Sequence, residues 1–356
     1  MPKLRLILIP FSILYMGILW IRNRLFDLKI LKSQRGALPT IVIGNLSVGG
    51  TGKTPHIQYL IHLLKEHCKV AVLSRGYQRA SVGFILVDTR LDSQLFGDEP
   101  AQLARNNPDI PLAVCENRLD GLNQMKELYS KIDWVLMDDA FQHRALLGDL
   151  NILLTTFQQP FHKDYVLPAG DLRDHPGEKR RADAILVTKC PDLETPPDVY
   201  EWRKALGIKT GQALFFSKLK YGKGMSVYGN PDEEIGKSAV VGFAGIARPK
   251  DFENYLKSQF DLKKFKNFPD HHQFTLNDLE ALKRDMLNFG DPDIVLVTTE
   301  KDLSRLTGPK ESALLKSCRL FVVPVEIEFL PSEPTFDSWL LRKLEEKKEE
   351  SLHLKK

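Results

Sequence analysis

Between Thr40 and Pro55 the chain reads Thr-Ile-Val-Ile-Gly-Asn-Leu-Ser-Val-Gly-Gly-Thr-Gly-Lys-Thr-Pro. Gly49, Gly50 and Gly52 supply a backbone free to turn sharply, Lys53 a mobile cation and Thr54 a hydroxyl beside it. This set suits phosphate. Unpaired N–H groups at a helix start converge on an anion, the lysine reaches the outer phosphates of a nucleotide such as ATP, and the hydroxyl ligates Mg²⁺. Ser47, Val48, Gly49, Gly50, Thr51, Gly52, Lys53 and Thr54 are therefore the candidate nucleotide-binding residues. Ser47 stands where the general phosphate-loop rule has its first glycine, and Gly49 and Gly50 preserve the freedom that rule demands.

Asp138 and Asp139 follow the apolar run Ile132 to Met137. An apolar strand ending in Asp, downstream of a phosphate loop, is the expected partner that holds Mg²⁺ directly or through water, so Thr54, Asp138 and Asp139 are the candidate metal ligands. Asp98, in Gly97-Asp98-Glu99-Pro100, and His271, in Asp270-His271-His272, have ordinary alternatives as a helix cap and a turn. Arg75, Arg79, Arg118, Arg144 and Arg173 carry guanidinium groups suited to phosphate, with Arg75 and Arg144 best placed after strand ends. Thr299-Glu300-Lys301-Asp302, also after an apolar run, could read a base or help close a second lobe.

The elements that must position these groups alternate. Ile41 to Ile43, Val70 to Leu73, Ile132 to Met137, Ile152 to Thr156 and Ala184 to Val187 read as buried strands separated by helix-length segments. From Thr54 to Cys68 the apolar residues Ile57, Leu60, Ile61, Leu63 and Leu64 recur at helical spacing. The fold class is α/β, a P-loop NTPase-like, mostly parallel sheet covered on both faces, with ligands at the strands' C-terminal ends. Three prolines between residues 190 and 199 mark a break, and Ala213 to Tyr221 could pair with Leu320 to Glu328 as a ribbon to a smaller α/β lobe. We divide the chain into residues 1–36, a membrane-associated segment; 37–210, the phosphate-loop domain; 211–335, the smaller lobe; and 336–356, a charged tail expected to form a solvated helix or to fray.

The 356 residues carry a net charge of +4, but residues 1–36 hold seven basic groups against Asp27 alone, +6 locally, leaving −2 elsewhere. So local an excess argues against a nucleic-acid binder and for an N-terminus that meets an anionic surface. Between the cations lies the apolar run Leu6 to Ile21, about 24 Å as a helix, short of a bilayer core of roughly 30 Å. It reads as a segment in the membrane interface, with Tyr15 and Trp20 at headgroup level and the arginines on lipid phosphates. Cys68, Cys115, Cys190 and Cys318 are far apart and read as core thiols.

Taken in order, these motifs resemble the tetraacyldisaccharide 4′-kinases, which phosphorylate the lipid A precursor disaccharide of Gram-negative bacteria. The resemblance rests on Gly44 to Pro55, Ser74-Arg75-Gly76-Tyr77, Gly97 to Pro100 and Asp138-Asp139-Ala140-Phe141-Gln142-His143. Leu167-Pro168-Ala169-Gly170, Asp270-His271-His272 and Thr299 to Asp302 extend it. It implies an ATP- and Mg²⁺-dependent kinase on the cytoplasmic face of the inner membrane, acting on a lipid-linked disaccharide 1-phosphate. By the same analogy Asp98 takes the proton of the 4′-hydroxyl, steered by His271 with His272 in reserve, while Lys53, Asp138 and Asp139 complete the catalytic set. Asn45, Arg75, Tyr77, Gln142, His143 and Arg173 are the candidate substrate contacts. The rival reading is a membrane-bound P-loop ATPase acting as a switch or positioning factor; such proteins commonly place an extra lysine where this chain has Val48.

Overall fold

The computed structural model describes residues 3–88, 92–192, 197–230, 233–270, 272–306 and 309–353. Two sheets organise the chain. The larger has nine strands in the order Val325–Phe329, Ala213–Tyr221, Ala184–Thr188, Leu150–Thr156, Thr40–Asn45, Trp134–Asp138, Val70–Ser74, Leu112–Val114, Ile85–Leu86. Its seven inner strands are parallel, and the two edges are antiparallel. A parallel strand flanked on both sides must be apolar throughout, and Thr40–Asn45, Val70–Ser74, Trp134–Asp138 and Ala184–Thr188 are buried at every position.

Each face of this sheet carries its own core. The helix Lys53–Lys65 seats Ile57, Leu60, Ile61 and Leu64 on one face. Beside it lies the C-terminal helix Phe336–His353, whose Phe336, Trp339, Leu340 and Leu344 recur on one stripe and enter the same core. The tail is thus not simply a solvated charged segment: its Lys and Glu residues mask an apolar stripe that docks against Phe215.

The second sheet runs Met225–Ser226, Leu320–Val323, Val295–Thr299, Ala239–Ala244, Asp261–Asn267, with cores on both of its faces. Asp261–Asn267 escapes apolar periodicity because it is an edge strand, where lysines blunt unpaired hydrogen-bonding groups. The expected ribbon exists in altered form. Ser217 to Tyr221 pair antiparallel with Val325 to Phe329, but as the outer rim of the large sheet, and Leu320–Val323 stop at Pro324 to join the second sheet.

The N-terminal helix Ile9–Asp27 is turned inside out. Its polar Ser12 and Asn23 are buried with Leu19, while Phe11, Ile13, Leu14, Ile18, Trp20 and Ile21 are exposed. The inward polar groups are used: Ala169 N donates to Ser12 Oγ at 2.9 Å and Asn23 Nδ2 to Asp174 at 3.0 Å. The arginines expected on lipid phosphates are partly committed to protein, since Arg5 pairs with Asp171 at 2.8 Å and Arg22 donates to Gln142 O at 3.0 Å. Arg144, expected to meet an anionic substrate, is instead a buried bolt: it pairs with Asp27 at 2.8 Å and donates to Asn23 O at 2.9 Å.

Candidate active site

The strand Thr40–Asn45 ends at the middle of the large sheet, and the chain turns through Ser47 to Gly52 into the helix that begins at Lys53. Gly49 and Gly52 take φ of 101° and 88°, left-handed values that strain any residue with a Cβ, which is why glycines sit there. The loop is pinned from below. Asn45 Nδ2 donates to Thr51 Oγ1 at 2.8 Å, and Thr188 Oγ1 to Thr51 O at 2.8 Å. Burial pushes His56 down to about 4, so its ring is neutral. A neutral ring facing the Gly52 carbonyl at 2.7 Å donates through Nδ1, leaving Nε2 to accept from Ser217 Oγ at 2.9 Å.

Across from the loop lie the two acids that end the neighbouring strand. Lys53 Nζ stands 3.7 Å from Asp139 Oδ1. Arg173 clasps the same carboxylate through both terminal nitrogens and donates to Asn45 Oδ1 at 2.6 Å. Burial pushes the Asp139 carboxyl upward, but Lys53 and Arg173 together overcome it and hold the group below its ordinary value.

Asp138 behaves in the opposite way. It is 2 % exposed, accepts from Ser74 Oγ at 2.9 Å through Oδ2, and leaves Oδ1 buried without a hydrogen-bond partner. Burial, then the nearby charges of Glu99 and Asp139, push it up to about 7. An orphaned carboxylate oxygen is a hard donor, which fits Mg²⁺. Among the described residues no group of three or more His, Cys, Asp or Glu could hold a metal ion. That agrees with a cation taken by one or two protein oxygens and otherwise by phosphate and water.

Asp98 opens the helix Asp98–Asn106 without capping it; the N-cap is Gly97, and no side-chain cap bond forms. The carboxylate is turned to the second lobe, where Arg305 Nε donates to Oδ2 at 2.7 Å. The motif at Ser74 meets this one back to back, since a Cβ on Gly97 would lie 3.2 Å from Tyr77 O and 3.3 Å from Gly76 Cα. A solvent-open cleft of ≈ 640 Å³ follows, lined by Tyr77, Asp98, Glu99 and, from the second lobe, Gln273. In the Thr299-Glu300-Lys301-Asp302 motif, Glu300 accepts from Asn106 and Gln102 at 2.9 and 3.1 Å on the helix that Asp98 begins, which ties the second lobe to the first.

His271 lies outside the described residues. His272 is engaged elsewhere: its Nε2 meets Asp278 at 3.0 Å, inside the cap of the helix Leu276–Leu287, and its ring stacks on Phe268. Gln142 donates to Asn45 O at 2.6 Å, tying the acid motif to the loop strand. Arg75 and Tyr77 are exposed, and Tyr77 lines the cleft. Burial, then Arg118, Arg22 and Arg75, hold His143 below its usual range. Sequence reasoning missed His56, Arg305 and Lys189. Lys189 follows the strand Ala184–Thr188 with φ of 56° and brings Nζ to 3.8 Å from where a Gly50 Cβ would stand. A lysine after a buried strand two places from the loop strand is the signal that could have found it.

The chain is similar to known proteins over most of its length. Residues 4–345 match the family model described as tetraacyldisaccharide-1-P 4′-kinase. The tetraacyldisaccharide 4′-kinase of Flavobacterium johnsoniae is 40% identical over 350 residues, covering 97% of this chain and 99% of its own. That of Bacteroides thetaiotaomicron is 39% identical over 340 residues, 92% of this chain and 89% of its own. A crystal structure of the "apo" form of LpxK from Aquifex aeolicus in complex with ATP superposes with a TM-score of 0.75 at 31% identity, covering 96% of this chain and all of that one. Matched in this way over nearly its whole length, the chain belongs to the tetraacyldisaccharide-1-P 4′-kinase family of phosphotransferases.

Proposed function

We propose that the chain transfers the γ-phosphate of ATP to the 4′-hydroxyl of a tetraacyldisaccharide 1-phosphate at the site between the loop and Asp98. The observation that carries this reading is the meeting of Lys53 with the acid pair Asp138 and Asp139 at the ends of adjacent strands. Phosphoryl transfer asks a protein for positioning and charge rather than covalent chemistry, and these are the groups that provide both.

Residues Ser47 to Thr54 hold the triphosphate by loop N–H groups and the Lys53 ammonium. The contact between Lys53 and Asp139 is a resting one, exchanged for phosphate oxygens when the nucleotide enters. Thr54, Asp138 and Asp139 would hold Mg²⁺, which would supply positive charge to the phosphates. Asp98 accepts the proton of the acceptor hydroxyl as that oxygen bonds to the γ-phosphorus and the bond from phosphorus to the β–γ bridging oxygen breaks, releasing ADP. The charge of Glu99, adjacent to Asp98, is felt at Asp138, which supports a single site joining base and acid pair. His271 steers Asp98, and Asn45, Arg75, Tyr77, Gln142, His143 and Arg173 line the acceptor side, Arg173 also setting the position of Asp139.

The acceptor is a lipid, and the exposed apolar face of the helix Ile9–Asp27 suits the cytoplasmic surface of an anionic inner membrane. By length and composition the segment Arg5–Asp27 is able to cross a bilayer. Its buried polar contacts to Ala169 and Asp174 favour lying against the protein body with the outer face in the interface. In domain terms residues 1–36 anchor, 37–210 carry the loop, 211–335 supply the closing lobe, and within 336–356 the helix Phe336–His353 braces the large sheet.

The test is incubation with γ-labelled ATP, Mg²⁺ and the lipid disaccharide 1-phosphate, with products separated. Label on the lipid, with little hydrolysis until the acceptor is added, is expected; acceptor-independent release of free phosphate and an unlabelled lipid would overturn the reading in favour of a switch ATPase.

A further inference from the structure

We infer that Arg305 is a positioning residue for phosphoryl transfer, acting through Asp98; this rests on the reading of Asp98 as the proton acceptor. Arg305 reaches Asp98 across the two lobes, 207 positions away, with Nε donating to Oδ2 at 2.7 Å. The rest of the guanidinium is fixed within the second lobe. Its Nη1 donates to Gly245 O at 3.0 Å and to Asp302 Oδ1 at 3.3 Å. Asp302 is itself saturated, accepting from Gly245 N at 3.1 Å and from Thr299 Oγ1 at 2.8 Å. The side chains of Arg305 and Asp302 are fully shielded from solvent.

A guanidinium locked this way is a rigid fork whose outer edge ends on the carboxylate. Asp98 is the first residue of its helix, whose N-cap is Gly97. The same segment of the second lobe also grips the helix through Glu300, which binds Gln102 and Asn106. The second lobe therefore sets both the helix and the direction of its first carboxylate. Asp98 deprived of Arg305 would sample other rotamers and meet an acceptor hydroxyl productively only part of the time.

A purely architectural ion pair predicts a different pattern of losses. The experiment compares Arg305→Met, Arg305→Lys, Asp98→Asn and the double variant Asp98→Asn with Arg305→Met, in full-length enzyme with Mg²⁺·ATP and the lipid disaccharide. The expected results are a fall in kcat of about tenfold or more for Arg305→Met, with KM for ATP within about twofold, and partial recovery in Arg305→Lys. The double variant should be no slower than Asp98→Asn alone, because a residue acting only through a carboxylate has nothing left to act on. Losses that multiply in full, or an Arg305→Met enzyme with wild-type kcat, would overturn the inference. If Arg305→Met is insoluble, Arg305→Lys replaces it in the same cycle, with the same outcomes deciding. An Asp98→Asn enzyme keeping more than half of wild-type turnover points to a separate failure, that of Asp98 as the proton acceptor, and the inference falls with it.

Discussion

Replacing Asp138 by Asn should stabilise the protein, and only in part of the pH range. In the unfolded chain this carboxyl titrates at its ordinary value of 3.8, whereas burial, helped by Glu99 and Asp139, raises it in the fold to about 7. Between these values the folded state binds the extra proton, so stability is fully present below about pH 4 and is lost as pH rises toward 7. The slope is about 1.4 kcal/mol per pH unit, and over the roughly three-unit window the loss reaches about 4 kcal/mol as an upper figure. Asn retains an acceptor for Ser74 Oγ and has no charge to bury. Thermal unfolding of Asp138→Asn and wild type, without nucleotide and with EDTA present, should therefore give Tm values that converge as the pH falls below about 4, with only a small gap near pH 4.5. At pH 8 the variant should melt several degrees higher. The same variant should lose most of the extra stability that Mg²⁺·ATP gives wild type, because the orphaned Oδ1 is the oxygen offered to the cation. A difference in Tm that is constant from pH 4.5 to 8 would refute the picture of a lone buried carboxylate kept for a metal.

Other outcomes follow from the same geometry. Asp98→Ala should lower kcat at least about a hundredfold while leaving KM for ATP nearly unchanged, as steady-state kinetics with saturating acceptor would show. Trp339→Ala, which empties a site against Phe215 and Phe336, should cost about 3–5 kcal/mol in urea unfolding, a loss no solvated tail would produce. Serine at Phe11, Leu14 and Ile18 together should weaken binding to anionic liposomes in a flotation assay with Tm unchanged, since all three are exposed. Equal flotation would remove this face as the membrane contact.

Much of this was legible in the residues, for definite reasons. Buried parallel strands must be apolar at every position, so Ile41 to Ile43 and Ala184 to Val187 announced themselves, and glycines that need left-handed φ marked the loop. The order of short motifs carried the family. What stayed hidden depends on contacts between residues far apart. Nothing near Arg305 in the chain shows that it ends on Asp98, and nothing near Arg144 shows that it bolts down the N-terminal helix rather than facing substrate. Asp138 and Asp139 look equivalent in the sequence. Their opposite titration arises because burial raises both, but Lys53 and Arg173 overcome it at Asp139, whereas at Asp138 burial with the charges of Glu99 and Asp139 outweighs Lys53 and the Ser74 hydrogen bond. The tail misled for a simpler reason, since its charged residues outnumber the apolar stripe that docks it.

The most direct measurement of the central claim is a crystal structure of this chain with a nonhydrolysable ATP analogue, Mg²⁺ and the lipid disaccharide 1-phosphate. The terminal phosphate should lie within hydrogen-bonding reach of Lys53 Nζ, with the acceptor's 4′-oxygen between that phosphorus and the Asp98 carboxylate. A nucleotide bound away from Ser47 to Thr54, or an acceptor hydroxyl facing no carboxylate at Asp98, would contradict the account.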